Sequence, residues 1–495
     1  MGRHTHRGRS CGGIQARDRC GARPGCAPPD DRRQAVEAEV AIQGGACRRR
    51  HRPDRPAGHT TPGVHVREAG PANARQAGTE AKAGGAAIVN RDSISDQPTN
   101  NNVDVENLPL YGVDVVEVAQ GVAGPFCGRF LAALGANVVK IERPPLGDWS
   151  REVGPFLPGD VRSECSALYL YNNMGKKSVL VNWETKAGMD ELATLVSNAD
   201  VLIEDWDRAY REEQRLSTDR FTSQNPELIE ICATPFGLTG PYSLWKSTPM
   251  VQLALGGFLY LTGDNAEEPL MLPGRQPDYL TGLNAHIAVQ IALWERARSG
   301  KGQFLEMSML ETLGTLHQFT FLMETYSGVT RTRNGREWNK QGPFASYGIT
   351  TLPCDDGWVC FGISAEDQWE RMCAMLGRED LLTDPEYDTR QKRSENSATL
   401  DRMVIDWMKG KTRQEVFRET SEVWLLPTAP VLNLHEVLGD PQLTRRNLFQ
   451  PLSHPVAGDA QYPTFPFSMS EFNTVVARAP LLGEHTSEVL GGELE

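Results

Sequence analysis

Between residues 113 and 234 the sequence repeats one pattern: a short apolar run, a turn, a stretch of helical period, and another apolar run. "VDVVEVA" is strand-like, "QGVAGP" is a turn, "FCGRFLAALGA" is amphipathic, and "NVVKIER" is again strand-like. The pattern returns as "KSVLVN", "TKAGMDELATLVSNA" and "DVLIEDW", then "ELIEICATPFG" before the turn "LTGPY". Two parallel strands must be joined by a long crossover, and that crossover is right-handed and usually a helix. The alternation therefore predicts an α/β fold with a Rossmann-like parallel sheet as its large domain.

The first turn lacks the G-x-G-x-x-G spacing of a dinucleotide site. Gly121, Gly124 and Gly128 are spaced differently, and Pro125 stands where a helix would start. An ordinary NAD site is not expected. Residues 278 to 298 read as one long helix, "QFLEMSM" as a strand, and "LETLGTLHQFTFLMETY" as a further helix. The large domain is thus expected over 107–329 and a polar linker over 330–345. A smaller α+β domain should cover 346–427, opening with the hairpin "YGITTLPCDDGWVCFGI", and 428–495 should return to the large domain.

Residues 1–106 differ in kind. The first hundred hold 17 Lys and Arg against 10 Asp and Glu, and contain no Phe, Trp, Tyr or Leu. The rest of the chain holds 34 basic against 54 acidic residues. So little apolar surface cannot offset chain entropy, and the tail is expected to be disordered, in the manner of an over-extended start. Its cysteines, Cys11, Cys20, Cys26 and Cys47, lack C-x-x-C spacing, and no metal site is expected there. The acidic body argues against nucleic acid as a partner. No apolar run reaches the ~18 residues of a membrane span, and six irregularly spaced body cysteines suit reduced thiols. A cytoplasmic protein without a membrane partner is expected.

The segments "VAGPFCGRFLAALGANVVKIERPPLGDWSR", "GKKSVLVN", "ADVLIED", "SGKGQFLEMSMLE" and "APLLGEHT", in this order, resemble the family III CoA-transferases over about residues 107 to 493. That family includes formyl-CoA:oxalate and carnitine CoA-transferases, with the α-methylacyl-CoA racemases as relatives. The resemblance implies an interlocked homodimer. It also implies CoA and acyl-CoA as substrates, carboxylic acids as co-substrates, and no permanently bound cofactor.

Asp278 opens the long helix, and local sequence alone reads it as an N-cap, for which Asp is a preferred residue. The resemblance gives it another role: a nucleophile that attacks an acyl-CoA thioester and becomes, through a mixed anhydride, an aspartyl-CoA thioester. The resemblance further implies CoA contacts at Arg143, Lys246, Val122, Ala123, Asp205 and Trp206. For Trp206 it suggests stacking on adenine, beside an equally available core role. The racemases carry a His-Asp pair where this chain has Pro249, which cannot transfer a proton, and Glu184 stands in place of a family lysine. Those two departures keep a non-catalytic acyl-CoA-binding subunit of a heteromer beside the transferase reading; an acyl-CoA racemase is a more distant third, which Pro249 disfavours. Gly483, Glu484 and His485 read as a structural turn.

Overall fold

The computed structural model describes residues 105–159, 161–337 and 345–491. Residues 1–104 of the expected disordered tail and 338–344 of the expected linker lie outside them.

Six short strands form one sheet: β1 (Asp114–Glu117), β2 (Asn137–Glu142), β3 (Lys177–Leu180), β4 (Val201–Glu204), β5 (Ile229–Thr234) and β6 (Gln303–Ser308). Their order is β3-β2-β1-β4-β5-β6, and every pairing is parallel. Adjacent side chains point to opposite faces, so each strand feeds two cores. Val138 joins a layer with α1 (Ala123–Ala133) and the long helix α3 (Gln276–Ser299), while Val139 joins one with α2 (Lys186–Ser197). Burial on both faces explains why these strands read as apolar runs rather than alternating ones.

Three expectations shift. The long helix spans Gln276–Ser299, because Pro277 fits its first turn, where no intrahelical N–H is needed. The helix expected over "LETLGTLHQFTFLMETY" is two, α4 (Met309–Thr315) and α5 (Gln318–Ser327). At the break the His317 ring bonds the Gly256 carbonyl at 2.6 Å and packs on Phe258. In the second sheet, β7 (Ile349–Cys354) and β8 (Gly357–Gly362) form the hairpin, and β9 (Thr428–Pro430) adds to β8. The boundary expected at 427 therefore falls just before a strand of that sheet; three residues carry too little pattern to be read. This smaller layer has its own core, including Phe361, Trp369, Met372 and Leu400.

After the hairpin of β10 (Phe449–His454) and β11 (Gly458–Pro463), the chain runs back along the large sheet. Val475 N–H donates to Ala133 O and His485 N–H to Ser178 O. The "APLLGEHT" segment forms a turn with Gly483 at φ +69°, and His485 Nδ1 accepts from Ser178 N–H.

Beneath the C-terminal ends of β1 and β2 lies a buried ionic network. The fully buried Lys140 ammonium meets Asp148 Oδ2 at 2.8 Å and Glu117 Oε1 at 3.2 Å, and donates to Ala119 O at 2.7 Å. Lys176 holds both oxygens of Glu117, at 2.8 and 2.9 Å. Burial pulls Lys176 down to about 8 against the attraction of Glu117. Alongside, Arg151 makes a two-pronged bond to Glu142 and reaches Glu164. Burial raises the Asp148 and Glu142 carboxyls, but Lys140 and Arg151 respectively outweigh it and hold them below the usual range. Removing one partner from such a group leaves an uncompensated buried charge. Lys140→Met is expected to cost ~3–5 kcal/mol of stability, measured by urea denaturation; a loss under about 1 kcal/mol would contradict the network's role.

Candidate functional site

The strand order reverses between β1 and β4, and in a parallel sheet the crevice at the C-terminal ends of such strands is where ligands bind. Two backbone amides of the turn after β1 are anchored here by carboxylates. Gln120 N–H donates to Asp205 Oδ2 at 3.0 Å, and Gly121 N–H to both oxygens of Asp148, at 2.9 and 3.0 Å. Val122 and Ala123 follow at once; Val122 is the buried residue before α1, and Ala123, partly buried, is its first residue.

Helix α3 crosses this turn closely. A Cβ on Gly282 would lie 2.4 Å from the Ala123 carbonyl oxygen, so only glycine permits the approach. Asp278 is one helical turn earlier on the same face. Its side chain is 13% exposed, and Oδ2 is buried without a hydrogen-bond partner. Arg275 Nε stands 3.6 Å from Oδ2, and the Arg275 guanidinium lies 4.9 Å from the centre of the Trp149 ring. That ring in turn packs on the bare Cα of Gly121, where a Cβ would come within 2.0 Å of it. Asp278, Arg275, Trp149 and the Gly121–Ala123 turn are thus contiguous.

Asp278 is not the cap of its helix. The capping position belongs to Arg275, which makes no side-chain capping bond, and Asp278 is the third helical residue. The first turn still favours a negative charge through its unpaired N–H groups. Burial pushes the Asp278 carboxyl above its usual range, and the Arg275 guanidinium pulls it back part of the way. The result is a partly desolvated carboxylate beside an open edge.

The other sequence candidates gather at the same sheet edge but in a second group. Asp205 follows β4, and burial pushes its carboxyl up to about 7 despite the bond from Gln120. Trp206 takes the core role: it is 5% exposed, stacks on Tyr210 and packs near Phe221. The adenine-stacking role therefore has no exposed ring face to use. Arg143 follows β2, is ion-paired with Glu184 and sits by Trp183. Lys246 is largely exposed and pairs with Asp207 at 2.9 Å. Pro249 starts the short helix Pro249–Leu255 behind a Thr248 cap. Arg275, Trp149 and Asp148 were missed by the sequence reading; the Arg–Asp spacing of three at a helix start was the one available signal for Arg275.

The model of CoA-transferase family III matches residues 110–486. The chain is 30% identical over 390 residues to the succinate–glutarate CoA-transferase of Agrobacterium fabrum, covering 78% of this chain and 96% of that one. It is 30% identical over 388 residues to the succinyl-CoA–L-malate CoA-transferase beta subunit of Chloroflexus aurantiacus, covering 77% and 93%. Among solved structures, a CAIB/BAIF family protein from Brucella suis superposes with a TM-score of 0.69 at 30% identity, over 78% of this chain and 99% of that one.

A larger residue at 121, where φ is +79°, would have to displace the Trp149 ring that rests on it. Gly121→Ala is expected to lose ~2 kcal/mol or more from the left-handed backbone and overpacking. An unchanged melting temperature would contradict the close contact.

Proposed function

The chain belongs to the family III CoA-transferases, and from that membership we propose that it moves CoA between carboxylic acids with Asp278 as the covalent nucleophile. The observation that supports this most is the Asp278 carboxylate: buried, without a hydrogen bond at Oδ2, in the first turn of α3 beside the ligand edge of the sheet. A carboxylate in water is a poor nucleophile, and withdrawing its hydration while fixing its direction is how a protein activates it.

The reaction balances as an exchange of carboxylates. An Asp278 oxygen adds to the thioester carbonyl, the C–S bond breaks, and CoA thiolate leaves a mixed anhydride. The thiolate attacks the Asp278 carbonyl, the anhydride C–O bond breaks, and the donor acid departs as its carboxylate. Asp278 now carries CoA as a thioester. An acceptor carboxylate reverses the two steps and leaves as its CoA ester. Helix N–H groups favour each developing oxyanion. Val122 and Ala123 offer backbone for the CoA arm. Arg143 and Lys246 offer charge for its phosphates; both are held by acidic neighbours, Glu184 and Asp207, which must yield when a nucleotide binds.

Succinyl-CoA with glutarate or L-malate is the first pair to assay, since relatives are named for those acids. Asp278→Asn is expected to melt like the wild type, because Asp278 is not the cap, yet to lose transfer by orders of magnitude and to form no CoA adduct by intact mass. Full transfer by Asp278→Asn would place the nucleophile elsewhere. Binding of acyl-CoA by the wild type with neither adduct nor transfer would favour the non-catalytic subunit.

We further propose a homodimer of the cytoplasm, with the six described cysteines reduced. No described helix is long and apolar enough to cross a membrane. The outer face of α3 nevertheless presents Leu283, Ile287, Ile291 and Trp294, the last two 61% and 66% exposed. That stripe at helical spacing is the mark of a protein interface. Sedimentation at micromolar concentration should show a dimer, and Ile291→Asp should dissociate it; a monomeric wild type would refute the assignment.

A further inference from the structure

The exchange above does not use every charged group around Asp278. Arg275 is the one nearest to the reacting carboxylate. Its Nε makes no hydrogen bond, and its guanidinium is placed by two loose contacts, Asp278 at 3.6 Å and the Trp149 ring at 4.9 Å. The side chain is 31% exposed, so an incoming anion can reach it. Arginine is suited to this: its planar fork offers several donors to a carboxylate, while its face rests on an aromatic ring.

Charge conservation then assigns it a task. At rest the charge opposite Arg275 is Asp278. Once Asp278 becomes an anhydride or thioester it is neutral, and the negative charge has passed to the departing acid. A guanidinium left without its counter-ion in a part-buried site attracts the nearest carboxylate strongly. We propose that Arg275 is the seat of the exchanging carboxylate, pairing with Asp278 at rest and with the donor or acceptor acid while Asp278 carries CoA. The proposal rests on the reading of Asp278 as the nucleophile. It makes Arg275 a substrate-binding residue, one that retains the first acid near the thioester and then positions the second for attack. It also gives the acceptor a reason to bind only after Asp278 has been loaded: an acid arriving early must compete with Asp278 for the same cation.

Two experiments test this. Asp278→Asn is uncharged, as the CoA-bound aspartyl is, and leaves Arg275 without its ion pair. By titration calorimetry it should bind glutarate about tenfold more tightly than the wild type, and Asp278→Asn with Arg275→Gln should lose that gain. In turnover from succinyl-CoA to glutarate, Arg275→Gln should raise KM for glutarate about tenfold while KM for succinyl-CoA stays within about twofold. Arg275→Lys should recover part of the loss, and it carries the same comparison if Arg275→Gln does not fold. Equal glutarate affinity in the wild type and Asp278→Asn, or a gain that survives Arg275→Gln, overturns the proposal. Failure of the nucleophile reading shows separately, as transfer retained by Asp278→Asn, and the binding comparison still decides whether Arg275 seats a carboxylate.

Discussion

The Lys140 ammonium is the fixed point of this molecule. A fully buried cation is tolerable only when every partner is in place, and its partners come from the end of β1 (Glu117, Ala119) and the loop after β2 (Asp148). One oxygen of Asp148 is taken by Lys140, and both reach the Gly121 amide. The residue after Asp148 is Trp149, whose ring lies on Gly121 and under Arg275, and Arg275 faces Asp278. An unbroken series of contacts thus runs from a buried ion to the proposed nucleophile. Charges packed in low dielectric hold their geometry tightly, because any displacement exposes an unpaired group.

The same network ties the two ends of the described chain together. Glu142 accepts from Arg151, Tyr169 and Ser178, and the Ser178 hydroxyl in turn accepts from Gly483 N–H at 2.8 Å. Glu164 accepts from Leu482 N–H. The "APLLGEHT" turn is therefore structural: it closes the sheet edge over the ions, and Glu484 is spent on Arg478.

The parallel sheet was legible because strands buried on both faces are apolar runs, and helices of period 3.6 separate them. The network was not. Glu117, Lys140 and Glu142 sit in "DVVE" and "NVVKIE", where charges ordinarily mark a strand's exposed end, and only the partner's position shows that they are buried. Asp278 was legible as chemistry only through family likeness, since its neighbours read equally as a helix start. Trp149 and Arg275 are far apart in sequence and meet where Gly121 leaves space for the Trp149 ring and Gly282 lets α3 approach the Ala123 carbonyl. For Trp206 the sequence left a ligand platform and a core role equally open, since an aromatic at a strand end fits either; Tyr210 and Phe221 pack on it.

Helix α3 carries two constraints on opposite faces. Inward, Gly282 presses on Ala123, and Ala285 and Val289 enter the sheet core. Outward runs the stripe of Leu283, Ile287, Ile291 and Trp294. In the proposed dimer a second copy covers that stripe, and the helix is gripped along both sides. Its first turn holds Asp278, with Arg275 at the capping position before it. Among the described residues, an ion pair with Asp278 and the face of the Trp149 ring hold Arg275. A rigid helix with one loosely held cation at its start suits a reaction that returns its nucleophile to the same place after each transfer while the counter-ion changes partners. Rigidity then serves the covalent step, and the looseness of one side chain serves the exchange of acids.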